Sequence, residues 1–134
     1  MNACVKNSGG TQIAGTCPSD VRLKKNIQPL SPALGKLALL RPVNFEWRAE
    51  EFPQMHFGAG PVRGLIAQEV EQVLPELVRT DEQGYKAVNY SDLPLYTIQA
   101  LKELKAENDG LKERVEALEA IIEQRLGVQV SKLQ

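Results

Sequence analysis

The sequence lacks an excess of charge of either sign. A quarter of its 134 residues are charged, yet the net charge is only −1. Proteins that bind nucleic acid usually carry a strongly basic surface, so a nucleic-acid partner is not expected. No apolar run approaches the roughly 18 residues that a membrane span requires, so no membrane partner is expected either.

Histidine and cysteine, the residues most often used in catalysis or metal binding, are scarce. His56 is the single histidine, and a triad of serine, histidine and aspartate would have to use it, although no local pattern supports that role. Cys4 and Cys17 lie near the start, and no cysteine or histidine set has zinc spacing. We therefore expect no metal and no cofactor. The cysteines could pair in an oxidising compartment, and the sequence leaves this open.

Residues 1–18 form a leader rich in glycine, serine and threonine. This composition is typical of a linker or of the end of a fibre, so we expect residues 5–18 to be extended or loosely ordered. Ordinary globular sequence begins directly after Pro18.

That sequence begins with a start motif, residues 19–27, which reads Ser19-Asp20-Val21-Arg22-Leu23-Lys24-Lys25-Asn26-Ile27. A serine hydroxyl becomes a nucleophile only beside a base, and a lysine can be that base. Lys24 lies five residues after Ser19, with Arg22 and Lys25 nearby. The alternative is structural: Ser19 or Asp20 caps a short helix and the cations form a solvated face.

Residues 28–90 predict a small α+β unit. Ser31 is the expected N-cap of a short helix that ends before Arg41-Pro42. Apolar residues alternate with polar ones from Val43 to Trp47, which predicts a half-buried strand. Residues 50–60 predict a long loop or a hairpin tip whose aromatic side chains fold back.

A second strand is expected over 63–66, followed by a helix over 67–74 whose apolar face includes Val70 and Leu74. Gln68 and Glu69 lie at this strand-to-helix junction, where a structural role is more common than a catalytic one. Residues 77–90 predict a β-hairpin that turns at Gly84.

From residue 91 the pattern is helical, with Ser91 or Asp92 as N-cap. Apolar residues then recur at alternating spacings of three and four, which is a heptad pattern of a and d positions. Its members, which we call the seam, are Leu101, Leu104, Asn108, Leu111, Val115, Leu118 and Ile122. The pattern favours association of identical chains, although the helix could instead pack on its own domain. Asn108 would penalise slipped registers, and Gly110 could kink the helix.

The start motif resembles that of a known family, the self-cleaving S74 peptidases. These are intramolecular chaperone domains at the C-termini of phage tail spikes, endosialidases and neck fibres, with a related copy in myelin regulatory factors. The resemblance covers about residues 19–126. It rests on Ser19-Asp20-x-Arg22-Leu23-Lys24-x-Asn26-Ile27, Pro42-Val43-x-Phe45-x-Trp47, Gly64-Leu65-Ile66-Ala67-Gln68-Glu69-Val70, Leu74-Pro75-Glu76, Tyr90 and Leu93.

The resemblance implies a homotrimeric chaperone that aligns a preceding fibre of its own precursor and then cuts itself off at Pro18–Ser19. It implies Ser19 as nucleophile, Lys24 as base, and Asp20 and Arg22 as positioning residues. The expected fold is a small α+β domain over 19–90 and a trimeric coiled-coil helix over 91–126, between the leader and a tail over 127–134. The implied setting is a phage virion or a surface-fibre precursor.

Two alternatives to self-cleavage stay open. The first is a trimerisation or capping module that never cuts, with Ser19 only a cap, because Pro18 restricts the backbone just before the bond. The second is a coiled-coil adaptor that binds an unrelated helix. Trimer and dimer are both compatible with an asparagine at an a position, so the trimer follows from the resemblance alone.

Overall fold

A computed structural model describes residues 4–6 and 12–127. Within these ranges, short strands and helices precede one long helix, as predicted, and the strands pair in three separate two-stranded antiparallel sheets. The predicted tail beyond Gly127 and the glycine-rich residues 7–11 of the leader lie outside the described residues. The elements are β1 (Val5–Lys6), β2 (Gln12–Ala14), α1 (Leu34–Leu37), β3 (Val43–Phe45), β4 (Val62–Gly64), α2 (Ala67–Val73), β5 (Val78–Thr80), β6 (Lys86–Val88) and α3 (Leu93–Leu126).

The described part of the leader is more ordered than its composition predicts. β1 and β2 pair antiparallel, with Val5 opposite Ala14 and Lys6 opposite Gln12. A disulfide joins Cys4 to Cys17 just outside the two strands. The strands fit the expectation of an extended segment, and their pairing and cross-link give it an order that the composition does not predict. The physical reason is that a covalent cross-link closes the loop and removes conformational freedom that glycine and serine would otherwise retain.

β3 and β4 form a hairpin with a long tip. Val43 lies opposite Gly64, and Phe45 lies opposite Val62. The strand ends at Phe45, short of the predicted Trp47, but the aromatic residues pack as expected. The rings of Trp47 and Phe45 form a T-shaped pair with centroids 4.9 Å apart, and Trp47 stacks on Phe57 with centroids 4.1 Å apart. The tip therefore folds back on its own strand, which confirms that prediction.

β5 and β6 form the predicted second hairpin. Gly84 has a φ of 88°, a conformation that favours glycine. The Asp81 carboxylate accepts hydrogen bonds from the backbone N–H groups of Gln83 and Tyr85 at 3.0 and 2.8 Å. A short polar side chain that bonds to its own turn in this way stabilises the turn locally, so the hairpin follows from nearby sequence.

The core forms where α2 meets this hairpin. Val70, Leu74 and Leu77 are fully buried, and the first two lie on the predicted apolar face of α2. Their partly buried neighbours come from α1 and the residues after it, the segment after β4, α2, the second hairpin and the start of α3. They are Leu37, Leu40, Leu65, Val73, Val78, Val88, Leu93 and Tyr96. The long helix is therefore anchored to the core through its first turn.

Ser31 does not cap α1, contrary to prediction. The N-cap position is Ala33, which has no side-chain acceptor. Glu103 of α3 takes over this role: its carboxylate accepts from the N–H of Ala33 at 3.0 and 3.1 Å and from the N–H of Leu34 at 2.8 Å. A tertiary contact thus satisfies the free amides of the helix start. These hydrogen bonds, with one from Gln99, lower the pKa of Glu103.

Glu103→Gln is expected to lower the thermal midpoint at neutral pH by several degrees and to flatten its pH dependence. The folded-state pKa lies below the ordinary value of 4.5. The ionised carboxylate therefore stabilises the fold above that value, and the contribution is lost as pH falls through the lowered one. Circular dichroism melts between about pH 7 and pH 3 measure the difference. Glu113→Gln, on the exposed side of α3, is the control, and a Glu103→Gln chain as pH-sensitive as wild type contradicts the assignment.

α3 has a packed face and a free face. The packed face carries Leu93, Tyr96, Ala100 and Glu103, all partly or fully buried. The helix starts with Asp92 at the N-cap position and Pro94 in the first turn, runs on through Gly110, and ends at Gly127 with a φ of 62°. The apolar seam residues are exposed: Leu101 64%, Leu104 50%, Leu111 55%, Val115 49%, Leu118 59% and Ile122 42%. Beyond Glu103 the helix therefore leaves its apolar seam uncovered by its own chain.

Candidate active site

The start motif is organised by a 3₁₀ turn over Val21–Leu23. Asp20 is the N-cap, and its carboxylate accepts from the N–H of Arg22 at 2.8 Å. Backbone bonds from Leu23 to Asp20 and from Lys24 to Val21, at 3.1 and 3.0 Å, close the turn. The structural interpretation of the motif therefore holds for Asp20, which acts as a cap.

The Arg22 guanidinium forms two hydrogen bonds with the same carboxylate. Its Nε donates to Asp20 Oδ1 at 3.0 Å and its Nη2 donates to Oδ2 at 2.7 Å. This side-chain pair, then the backbone bond and the nearby charge of Lys24, lower the pKa of Asp20, and the pair raises the pKa of Arg22. Both groups stay charged and occupied with each other, which suits a positioning role and not proton transfer.

Ser19 and Lys24 are brought together by this turn. Lys24 Nζ donates to Ser19 Oγ at 2.8 Å. The same contact, with the amine neutral and the hydroxyl as donor, is the geometry of a nucleophile beside its general base. The turn therefore converts a spacing of five residues in the sequence into a direct hydrogen bond.

A residue that was not predicted contacts the bond before Ser19. The side-chain amide of Gln12 donates from Nε2 to the carbonyl oxygen of Pro18 at 3.1 Å. Gln12 lies in β2, and the Cys4–Cys17 disulfide closes the same loop next to Pro18. The signal in the sequence was the cysteine pair, which brackets Gln12, but no rule of spacing connects a leader glutamine to a carbonyl six residues later.

The motif is open to solvent in the single chain. Ser19, Asp20, Arg22 and Lys24 are all exposed. So are the apolar side chains between and after them: Val21 is 67% exposed, Leu23 73% and Ile27 61%. Apolar groups this exposed in a short segment mark a surface that gains free energy when another surface covers it.

The other sequence candidates take structural places. His56 ends a 3₁₀ turn, Pro53–Met55, with a φ of 51°. Glu69 pairs with Arg41 at 2.6 Å, which ties α2 to the segment before β3. Across residues 4–6 and 12–127, no group of three or more potential metal ligands is present, and no described helix has the length and apolar character of a membrane span.

Fold and motif together define a class: a small unit of short strands and helices that begins at a serine-lysine pair and continues into a long helix. Residues 19–79 match the family model described as chaperone of endosialidase, the peptidase S74 family. The match starts at Ser19 itself. Residues 19–79 therefore belong to this family, as the start motif predicts.

Similar proteins come from phage tail fibres. The chain is 32% identical over 104 residues to the long tail fiber protein Gp37 of Enterobacteria phage K3, and to that of Enterobacteria phage T2 to the same extent. The matched region is 72% of this chain but only 8% and 7% of those proteins. A chaperone-of-endosialidase domain in tail fibre proteins suggests a fibre chaperone role.

Proposed function

We propose that this chain is a trimeric intramolecular chaperone of a preceding fibre and that it releases itself by cutting the Pro18–Ser19 bond. The observation that carries the proposal is the 2.8 Å hydrogen bond between Lys24 Nζ and Ser19 Oγ, at the residue where the family match begins. In this proposal the leader belongs to the fibre, residues 19–90 form the chaperone, and residues 91–126 hold three copies together.

The proposed reaction is an acyl shift followed by hydrolysis. Ser19 Oγ attacks the carbonyl carbon of Pro18 while neutral Lys24 takes the hydroxyl proton. The C–N bond then breaks, Lys24 returns the proton to the departing α-amine of Ser19, and an ester joins Pro18 to Ser19 Oγ. Water opens the ester, which leaves a carboxylate on Pro18 and restores the Ser19 hydroxyl. Asp20 and Arg22 fix the turn that presents the two reacting side chains.

A single turnover needs no optimised site. The nucleophile is one residue from its target along the chain, so its translational freedom is already lost. A held near-attack geometry of this kind lowers the barrier by several kcal/mol, on the order of 7–11 in the best model reactions. A reaction that each chain performs once can therefore rely on a few positioned groups.

The exposed seam of α3 supports self-association of the chain. The exposed seam must be covered, and its heptad spacing fits copies of the same helix. Three chains held together at one end gain a high effective concentration at the other. This offsets the entropy of loop closure that a fibre built from non-local contacts must otherwise overcome.

Assembly also offers a reason for the open motif. Val21, Leu23 and Ile27 are apolar and exposed in the single chain. Covering them with a neighbouring copy would lower the dielectric constant around the Ser19–Lys24 pair, and positioned dipoles and charges stabilise a transition state more strongly in a low-dielectric site. In this scheme the cut follows correct assembly.

The second candidate function is a trimerisation or capping module that does not cut. The observation that favours it is the cap made by Asp20, which gives the start motif a structural role independent of chemistry. In that case the seam still assembles the chain, and Ser19 is a surface serine.

Intact mass under denaturing conditions separates the two functions. Freshly expressed wild type is expected to yield a fragment that begins at Ser19, and analytical ultracentrifugation is expected to give three times the mass of one fragment. An uncut trimer supports the module that does not cut. A wild type that is both uncut and monomeric contradicts both functions.

A further inference from the structure

The leader presents the bond before Ser19 in a fixed way. β1 and β2 pair, and a φ of 86° at Gly15 turns the chain after β2. The disulfide then anchors Cys17, the residue before Pro18, to Cys4. Residues 15–18 therefore turn back toward the start of β2, and the carbonyl oxygen of Pro18 lies 3.1 Å from the side-chain nitrogen of Gln12.

The direction of this hydrogen bond is set by chemistry. A carbonyl oxygen has no hydrogen to give, so only the NH₂ end of an amide side chain can face it. A neutral N–H donor that already lies 3.1 Å from the ground-state carbonyl oxygen is placed to stabilise negative charge as it develops on that oxygen. The Pro18 oxygen is the atom on which negative charge develops when a hydroxyl attacks that carbonyl.

We propose that Gln12 is the oxyanion donor of the self-cleavage reaction, a third catalytic residue supplied by the leader. This inference rests on the proposed function. When Ser19 Oγ adds to Pro18, the carbonyl electron pair moves to the Pro18 oxygen, and Gln12 Nε2–H stabilises it there. When the C–N bond breaks, the pair returns to form the ester carbonyl. No proton leaves Gln12.

The cation nearest in sequence does not take this place, because the Arg22 guanidinium is held by both oxygens of Asp20. The assignment to Gln12 also has a consequence for control. The oxyanion donor, Gln12, lies before the scissile bond and the base, Lys24, lies after it. All the catalytic groups are therefore joined in one chain only before cleavage, and they are in place only while β1 and β2 are paired. The state of the upstream segment thereby acts on the rate of its own release.

Time courses of intact mass test the role. Gln12→Ala is expected to slow cleavage by about 10²-fold, the lower end of the loss seen when one oxyanion donor is removed. Gln12→Glu, similar in shape but an acceptor when ionised, is expected to slow it at least as much. Gln72→Ala, at an exposed position of α2, is the control and should cut at the wild-type rate.

A second measurement keeps the inference apart from the proposed function. In an uncut Ser19→Ala chain, the carbonyl ¹³C resonance of Pro18 is expected to shift when Gln12 is also replaced by alanine, because a hydrogen bond to that oxygen is lost. If wild type cuts and both Gln12 variants cut at the wild-type rate, the role of Gln12 is refuted while the Ser19–Lys24 proposal stands. The same holds if wild type cuts and the Pro18 resonance does not move. A wild type that never cuts refutes both.

Discussion

Chains that carry Ser19→Ala or Lys24→Ala are expected to remain whole. Without the Ser19 hydroxyl no ester can form, so cleavage at Pro18–Ser19 should stop completely. Without Lys24, whose Nζ lies 2.8 Å from Ser19 Oγ, the hydroxyl loses its base, and loss of a positioned base slows a reaction by about 10²–10⁴-fold. Intact mass after expression, followed over days, measures both effects.

Matched variants show that these losses are chemical. Ser31→Ala and Lys25→Ala remove an exposed hydroxyl and an exposed ammonium from the same stretch, and both chains should cut like wild type. Ser19→Thr retains a hydroxyl and should keep part of the activity. If either the Ser19→Ala or the Lys24→Ala chain is cut at Pro18–Ser19 at the wild-type rate, the dyad assignment fails.

The double variant Leu111→Glu/Leu118→Glu is expected to abolish self-association. Both residues are d positions and are more than half exposed in the single chain. Burying a leucine contributes about 1.5–3 kcal/mol, and a trimer would lose this from every chain while gaining carboxylates in an apolar interface. Sedimentation velocity should show monomers at concentrations where wild type is assembled.

The control adds the same charge away from the seam. Ala106→Glu/Ala117→Glu places two carboxylates on exposed positions of α3 outside the a and d set, and this chain should assemble normally. If the Leu111→Glu/Leu118→Glu chain still assembles, the seam is not the surface through which the chains associate. The cleavage of that chain is a further outcome: a monomer that cuts at full rate shows that the Ser19–Lys24 pair works without assembly.

Much of the fold follows from local sequence. Gly84 with Asp81 specifies its hairpin through bonds within one turn, and Gly127 ends α3 as predicted. The Ser19–Lys24 contact also needs only a short turn, which Asp20 caps from within the motif. Features of this kind can be predicted from the sequence because the residues that determine them are a few positions apart.

The features that were predicted wrongly or not at all depend on contacts between residues distant in the sequence. Glu103 is about seventy residues from the amides that it caps, so a rule that looks for a nearby serine selects Ser31 instead. Gln12 reaches Pro18 only because a disulfide and a strand pair fold the leader. Composition describes the average freedom of such a segment and cannot include a cross-link whose formation the sequence leaves open.

The two faces of α3 join folding to assembly. Glu103, on the packed face, completes the start of α1, and Leu104, the next residue, belongs to the free seam. The seam continues from Leu104 to Ile122, which is about 27 Å of helix at about 1.5 Å per residue. Whatever binds the seam orders the same helix that closes the domain, so binding free energy is added to folding free energy by mass action. The resistance of this domain to unfolding thereby depends on the local concentration of copies, which in the proposed function is high at the end of a fibre and falls on dilution after release.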